Sequence, residues 1–358
     1  MILNLSETPR ERNGDWTGLY AHVVGDKIYY RLDSPSCISY AIKNPESGLY
    51  EKPPQNAVLS NSLAVQNFRV FKDTNPNTAS DSRYKAIGGY HTGRGHAALR
   101  GCGISQGAPI HDVRSPCWPL EERWVFGDQF HHPYHANGFY IFKSADGINW
   151  ELFHNKPVLS NLTKCEESIL GSDNMPSIFY DENIEEYVVY LRCNVKLGVR
   201  HVFYTKSKDL ITWDTPKLIK KSPDFDFTNE NLYYMGAYPV PSSKKYISFT
   251  HHFRNEILSA DGSNRRYFDK KTLVMTSENG VDWNVAGSLF SQDSQEVKES
   301  RASGDMQSLR THLGPPHVVS FEEEGEEYIL YVMEGLKSPN TNLVKYALPK
   351  EQFKDMEL

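Results

Sequence analysis

Residues 172–213 read SDNMPSIFYDENIEEYVVYLRCNVKLGVRHVFYTKSKDLITW, and this stretch decides the fold. An apolar run from Met175 to Phe179 meets a turn at Asp181-Glu182-Asn183. Alternating strands follow at Tyr187 to Leu191 and at His201 to Thr205, and a polar corner then leads to Trp213. Strands at hairpin spacing with turn residues between them predict one complete antiparallel sheet unit. Asp173 sits just before its first strand.

The unit recurs, which bears on the fold before any single element does. Three corners share one grammar: Ser144-Ala-Asp-Gly-Ile-Asn-Trp150, Ser207-Lys-Asp-Leu-Ile-Thr-Trp213 and Ser277-Glu-Asn-Gly-Val-Asp-Trp283. Their tryptophans are 63 and 70 residues apart. Matched openings stand at Met175 with Tyr187-Val-Val-Tyr, at Gly236-Ala-Tyr-Pro with Lys245-Tyr-Ile-Ser-Phe, and at Pro316-His-Val-Val with Glu327-Tyr-Ile-Leu-Tyr. Weaker ones stand at Leu19-Tyr-Ala-His with Lys27-Ile-Tyr-Tyr and at Phe68-Arg-Val-Phe with Arg83-Tyr-Lys-Ala-Ile. Roughly five units, each too small to bury its own faces, predict radial packing as an all-β, five-bladed β-propeller. An ordinary β-sandwich is the alternative, although sandwiches seldom repeat one turn grammar at so long a period.

With no linker-like stretch, residues 1–358 read as a single propeller domain with a long loop insertion at about 90–138. The first and last units are expected to close the ring side by side. A net charge of -6 offers no basic field for nucleic acid. No stretch approaches the roughly 18 apolar residues of a membrane helix. The first sixteen residues do not read as a secretory signal. Five Cys without CxxC spacing argue against a zinc site or a disulfide framework. A cytosolic, reduced chain is the expectation, and a secreted chain whose leader had been cut away would read the same.

The insertion holds six His, at 91, 96, 111, 131, 132 and 135, with Trp118 and Trp124. His131, His132 and His135 with Asp128 would suit zinc in type. Loop spacing does not converge ligands as helical spacing does, so exposed loop histidines facing a polar substrate are the preferred reading and no metal is assigned. No ligand cluster supports a calcium ion either, and no cofactor is expected.

The carboxylates carry the chemistry. Asp173 and Glu230 each stand just before the innermost strand of successive units, 57 positions apart. A propeller gathers the starts of its inner strands at one end of the central channel, which would make the two neighbours. Two acids in one aromatic-lined pit suit glycosidic bond cleavage, one protonated to assist the leaving oxygen and one ionised as base or nucleophile. Either acid alone reads equally as a turn or capping residue. For a third acid, Asp15 at a strand start ranks above Asp73, whose context Lys72-Asp-Thr-Asn-Pro reads as an outer turn.

The succession Val70-Phe-Lys-Asp73, Ser144 to Trp150, Asp173 with Tyr187-Val-Val-Tyr-Leu-Arg192, and Ser207 to Trp213 resembles the five-bladed propeller glycoside hydrolase-like proteins related to families 32, 43 and 68. The resemblance covers roughly residues 15–345 through short, mostly structural motifs. It implies an Asp, an Asp and a Glu on the first three inner strands, with Asp173 as the middle Asp and Glu230 as the general acid. The chain departs from it in having no WMNDPNG-like start, no Arg-Asp-Pro and no Glu-Cys, and in placing an extra unit between Asp15 and Asp173. Fructan specificity is therefore not implied.

The same geometry nominates substrate-binding residues. Arg192 would hold a carboxylate or a substrate acid group, or form a structural ion pair. His251, His252, Arg310 and His312 occupy inner-rim positions, and Tyr233, Tyr234 and Trp124 are candidates to stack on sugar faces. The expected partner is a carbohydrate. A glycan-binding propeller without catalysis, a sialidase-like enzyme and a mannoside phosphorylase-like enzyme remain alternatives. The corner is one residue short of the sialidase pattern, and a phosphorylase would need a basic phosphate site.

Overall fold

Tyr187–Cys193 shows why these segments form strands buried on both sides. Successive side chains of a strand point to opposite faces. Tyr187, Val189, Leu191 and Cys193 pack with Phe71, Ile87, Phe139 and Ile141 on one side. Val188 and Tyr190 pack with Leu232, Met235, Leu273 and Trp283 on the other. A sheet with two apolar faces needs a neighbour on each.

The computed structural model describes residues 2–5, 20–33, 36–54, 56–60, 67–92, 138–159, 171–172, 174–195, 199–240, 243–257, 265–290, 317–334 and 342–356. They form five sheets, the blades of a five-bladed β-propeller. Blade one runs outward through His22–Val24, Lys27–Asp33 and Ser36–Lys43, with Tyr50–Glu51 and Ala57–Ser60 on its edge. Blade two is Arg69–Lys72, Tyr84–Thr92, Gly138–Ser144 and Glu151–Leu152, with Gly171–Ser172 paired to the end of its second strand. Blade three is Ser177–Asp181, Glu186–Asn194, Arg200–Ser207 and Lys217–Leu218. Blade four is Glu230–Pro239, Tyr246–Ile257, Arg265–Ser277 and Asp282–Leu289, edged in parallel by Lys220–Ser222. Blade five is His317–Glu324, Glu327–Glu334 and Asn342–Pro349. The insertion expected at about 90–138 lies, from residue 93 to 137, outside the described residues.

Leu3–Asn4 closes the ring by pairing with Leu343 and Asn342, as the outermost strand of blade five. Closure of this kind covers part of the edge of Asn342–Pro349 and ties an early segment of the chain to a late one. Apolar clusters fill the gaps between successive blades. The cluster joining blade five to blade one includes Val23, Ile28, Val319, Ile329 and Leu343.

Inner strands also need partners for main-chain groups that face the channel. The Val70 N–H donates to His22 Nε2 at 2.9 Å, and the Val23 N–H donates to Ser320 Oγ at 2.8 Å. Ser177 Oγ donates to Ala237 O at 2.7 Å, and Arg69 Nη1 to Val319 O at 2.8 Å. Because His22 Nε2 accepts, its Nδ1 carries the proton and donates to Tyr20 O at 3.0 Å. His22 is thus held neutral as a strut between blades one and two.

The three corners share one hydrogen-bond pattern. Ser144, Ser207 and Ser277 Oγ each accept from the N–H three residues on at 2.9 Å. Asp146, Asp209 and Asn279 Oδ1 accept from the next turn's N–H groups. Each tryptophan indole closes the turn on the carbonyl of its fourth residue, three after the serine. That position has φ of +76° at Gly147, +64° at Leu210 and +74° at Gly280. Leu210 shows that this turn accepts a side chain in the left-handed region. At Gly280 a Cβ would lie 2.7 Å from Tyr190 Oη, which donates to Gly280 O at 2.8 Å. Gly280→Ala therefore adds a steric collision to the backbone cost, and about 2–4 kcal/mol of stability should be lost. Denaturant titration would show it, and a loss below about 1 kcal/mol would mean that Tyr190 yields freely.

Candidate functional site

The second strands of blades one and three outrun their inner strands. His22 pairs with Tyr29, so Arg31 lies beyond the inner strand's start. Ser177 pairs with Tyr190, so Arg192 does the same in blade three. In blade four a bulge does the positioning: Leu232 pairs with His252 and Tyr234 with His251, so the register shifts at Tyr233 between them. Bulges re-aim side chains in this way. Tyr233 turns toward blade three, where the guanidinium carbons of Arg192 and Arg200 lie 4.9 Å and 5.6 Å from its ring centroid.

A cavity at the channel mouth is lined by Tyr20, Asn174, Tyr233, Tyr234, His317 and Met333. Four blades thus contribute to one pit. Its volume is about 10 Å³, which admits roughly one water and is too small for a sugar ring. Asn174 Nδ2 donates to Tyr233 O, linking blades three and four at this point. His317 is buried, its Nε2 has no hydrogen-bond partner, and its ring centroid is 4.5 Å from that of His251. Burial lowers the pKa of His317 to about 4, so its imidazole is neutral at pH 7.

Glu230 begins the inner strand of blade four and is buried. Its Oε1 lies 3.0 Å from His252 Nε2 and 3.0 Å from Lys221 Nζ, and its Oε2 accepts from the Asp226 N–H at 2.9 Å. Burial pushes this carboxyl up, but the hydrogen bonds from His252, Asp226 and Lys221 outweigh it and hold the pKa at about 2. That is the charge state of a base, nucleophile or fixed anion. It is the opposite of the protonated acid that the family resemblance implies.

Asp73 lies beyond the far end of its inner strand, away from the mouth. Its Oδ2 accepts from Lys85 Nζ at 2.7 Å, Thr78 Oγ1 at 2.7 Å and Tyr187 Oη at 3.0 Å. The outer turn expected there is instead a buried pin between blades two and three. Asp181 repeats the device one blade on, accepting from Tyr246 Oη at 2.7 Å. Asp73 and Glu230 therefore stand at opposite ends of their strands. Of the other expected site residues, Arg192 and Tyr233 meet at the mouth and His252 holds Glu230. Asp15, Asp173, Trp124, Arg310 and His312 lie outside the described residues, as do His131, His132 and His135.

Sequence reasoning missed Tyr20, Arg31, Asn174, Arg200 and His317. The signal for Arg31 was its place at the end of a second strand, the same as that of Arg192. Among the described residues no group of three or more His, Cys, Asp or Glu is placed to hold a metal ion. No described helix is long and apolar enough to cross a membrane.

No family model matches this chain, and no curated protein matches it. Solved structures do. One is a GH93 alpha-L-arabinofuranosidase of Fusarium graminearum with arabinobiose, at 9% identity and TM-score 0.47, covering 97% of this chain and 85% of that one. An N-acetylgalactosamine deacetylase from F. plautii, with blood group B trisaccharide, matches at 11% identity and TM-score 0.45 over 90% of this chain and 85% of its own. A GH32 beta-fructofuranosidase of Bombyx mori matches at 12% identity and TM-score 0.45 over 92% of this chain and 59% of its own. Glycosidases thus occur among the neighbours. Identities this low leave the functional reading to the chain's own residues.

Proposed function

We propose that this propeller acts on carbohydrate and hydrolyses a glycosidic bond at the channel mouth. The observation that carries the reading is the convergence of Tyr20, Asn174 and a neutral His317 with Tyr233 and Tyr234 at the mouth, the last two on the strand that an ionised Glu230 begins. Aromatic rings beside a few hydrogen-bonding groups suit sugar faces and hydroxyls. In this reading the pit is the floor of the site and the sugar lies outward of it. Glu230 supplies fixed negative charge, so the proton donor is a second carboxyl. Asp173, adjoining Asn174 in sequence, is our candidate.

A glycan-binding propeller without catalysis is the second reading. It is favoured by the saturation of Glu230, both of whose oxygens are already engaged. Asp173→Asn separates the two. On a panel of aryl glycosides and oligosaccharides, an enzyme should lose its turnover by about 10²–10⁴-fold while binding persists. Binding by the unsubstituted chain with no turnover on any member would leave the lectin reading standing, and no binding at all would end both.

A further inference from the structure

We propose that the sugar recognised at this mouth is acidic, its oxyanion being held by Arg200 and Arg192 beside Tyr233. The inference rests on the carbohydrate reading and names its substrate class. Arg200 begins the third strand of blade three, and its main-chain N–H donates to Asn231 Oδ1 at 3.1 Å. Its guanidinium lies against the rings of Tyr233 and Phe253, 5.6 Å and 6.0 Å from their centroids. There its Nε and Nη1 are buried without a hydrogen-bond partner. Arg200 is partly exposed overall, but these two nitrogens are removed from water without a described hydrogen bond in exchange, and a buried polar group left in this state calls for a partner, which an oxyanion would supply.

Arg192 sharpens the argument. Its guanidinium approaches the same Tyr233 ring at 4.9 Å, and the positive charge of Arg200 adds to burial in lowering its pKa. Two guanidinium groups over one ring repel each other, and an anion between them would relieve the repulsion. Glu230 does not serve, although it lies three residues along the strand from Tyr233, because Lys221 and His252 already hold it. A planar carboxylate matches the guanidinium fork with its two oxygens, and a sulfate ester presents its terminal oxygens in a tetrahedral arrangement instead.

Matched pairs test this by calorimetry: oligogalacturonate against oligogalactose, glucuronate against glucose, glucose 6-sulfate against glucose, and inorganic phosphate alone. The acidic member of a pair should bind about tenfold tighter or more, with the uronates separating from the sulfate according to which anion fits. Arg200→Gln should bring that ratio close to one, with Arg200→Lys between. Since Arg200 lacks partners at Nε and Nη1, the melting temperature of Arg200→Gln should stay level or rise, whereas a structural arginine would lower it. Equal affinity for acidic and neutral members, a preference that survives Arg200→Gln, or binding of phosphate in place of acidic sugars would overturn the proposal. If neutral sugars bind and acidic ones gain nothing, the carbohydrate reading stands and only the acidic class fails. If no sugar binds, both fail.

Discussion

Glu230→Gln should cost about 3–5 kcal/mol of stability, the range expected when one partner of a buried ion pair is removed. Lys221 has 5% of its side chain exposed and Glu230 also 5%, so neither can turn to water when the other is lost. Glutamine keeps the shape and one acceptor, but not the charge facing Lys221. Lys221 Nζ retains only Pro223 O, at 2.8 Å, as a described acceptor. The cost is thus chiefly that of an uncompensated ammonium. Adding Lys221→Met should return part of the loss, so the double variant should be more stable than the sum of the single effects predicts. Denaturant titrations of the four proteins measure it. Full additivity would show that the charges do not stabilise each other. The same variant bears on chemistry: activity lost only in proportion to unfolding makes Glu230 a positioning residue, and activity abolished in a folded protein makes it catalytic.

The blades were legible because their cause is local. A Ser, an Asp or Asn and a Trp at fixed offsets make the corner through their own hydrogen bonds, so three copies announce three turns before any tertiary contact is known. Leu210 in the glycine position of the second copy did not hide it. The closing strand was less legible: Leu3–Asn4 is two residues long, too short for periodicity, and pairs across the whole chain. Asp73 read as a turn acid because its partners Lys85 and Tyr187 belong to other strands, and Tyr187 to another blade. Its likeness to Asp181, which also ends an inner strand and accepts from the next blade's tyrosine, was the available clue. At the mouth, linear spacing gave strand starts but neither the bulge at Tyr233 nor the overhang that sets Arg31 and Arg192 beyond their neighbours. The place of Glu230 at a strand start was legible, while its charge state depended on Lys221 and His252, which arrive from two other strands.

Acidification should unfold the protein between about pH 4 and 5.5, with the buried imidazoles supplying most of the early loss. Burial lowers the pKa values of His201 and His317 from 6.5 to about 4. Burial, then the charge of Arg69, lowers that of His22 well below 6.5. Between pH 6.5 and 4 the unfolded chain holds a proton on each of these side chains and the folded chain does not. Stability is therefore fully present above pH 6.5 and falls as the pH drops, by about 3 kcal/mol each for His201 and His317 at pH 4. His22 acts in the same direction. Together they remove much of the roughly 5–15 kcal/mol that holds a domain folded. Glu230 and Asp146, both at about 2, contribute stability that is present above the ordinary carboxylate range and lost only as the pH falls through it toward 2. Glu322 opposes them, since burial raises its carboxyl and it takes up its proton earlier when folded. Tryptophan fluorescence against pH would locate the midpoint, and a midpoint below about pH 3.5 would mean that the buried imidazoles are protonated without loss of the fold. His317→Gln should move the midpoint to lower pH, because it removes one group that must charge. If turnover is found, the acid limb of its pH profile should follow the unfolding curve, and in His317→Gln the two should move together. An acid limb that stays in place while the unfolding midpoint moves would report a titrating group of the reaction itself.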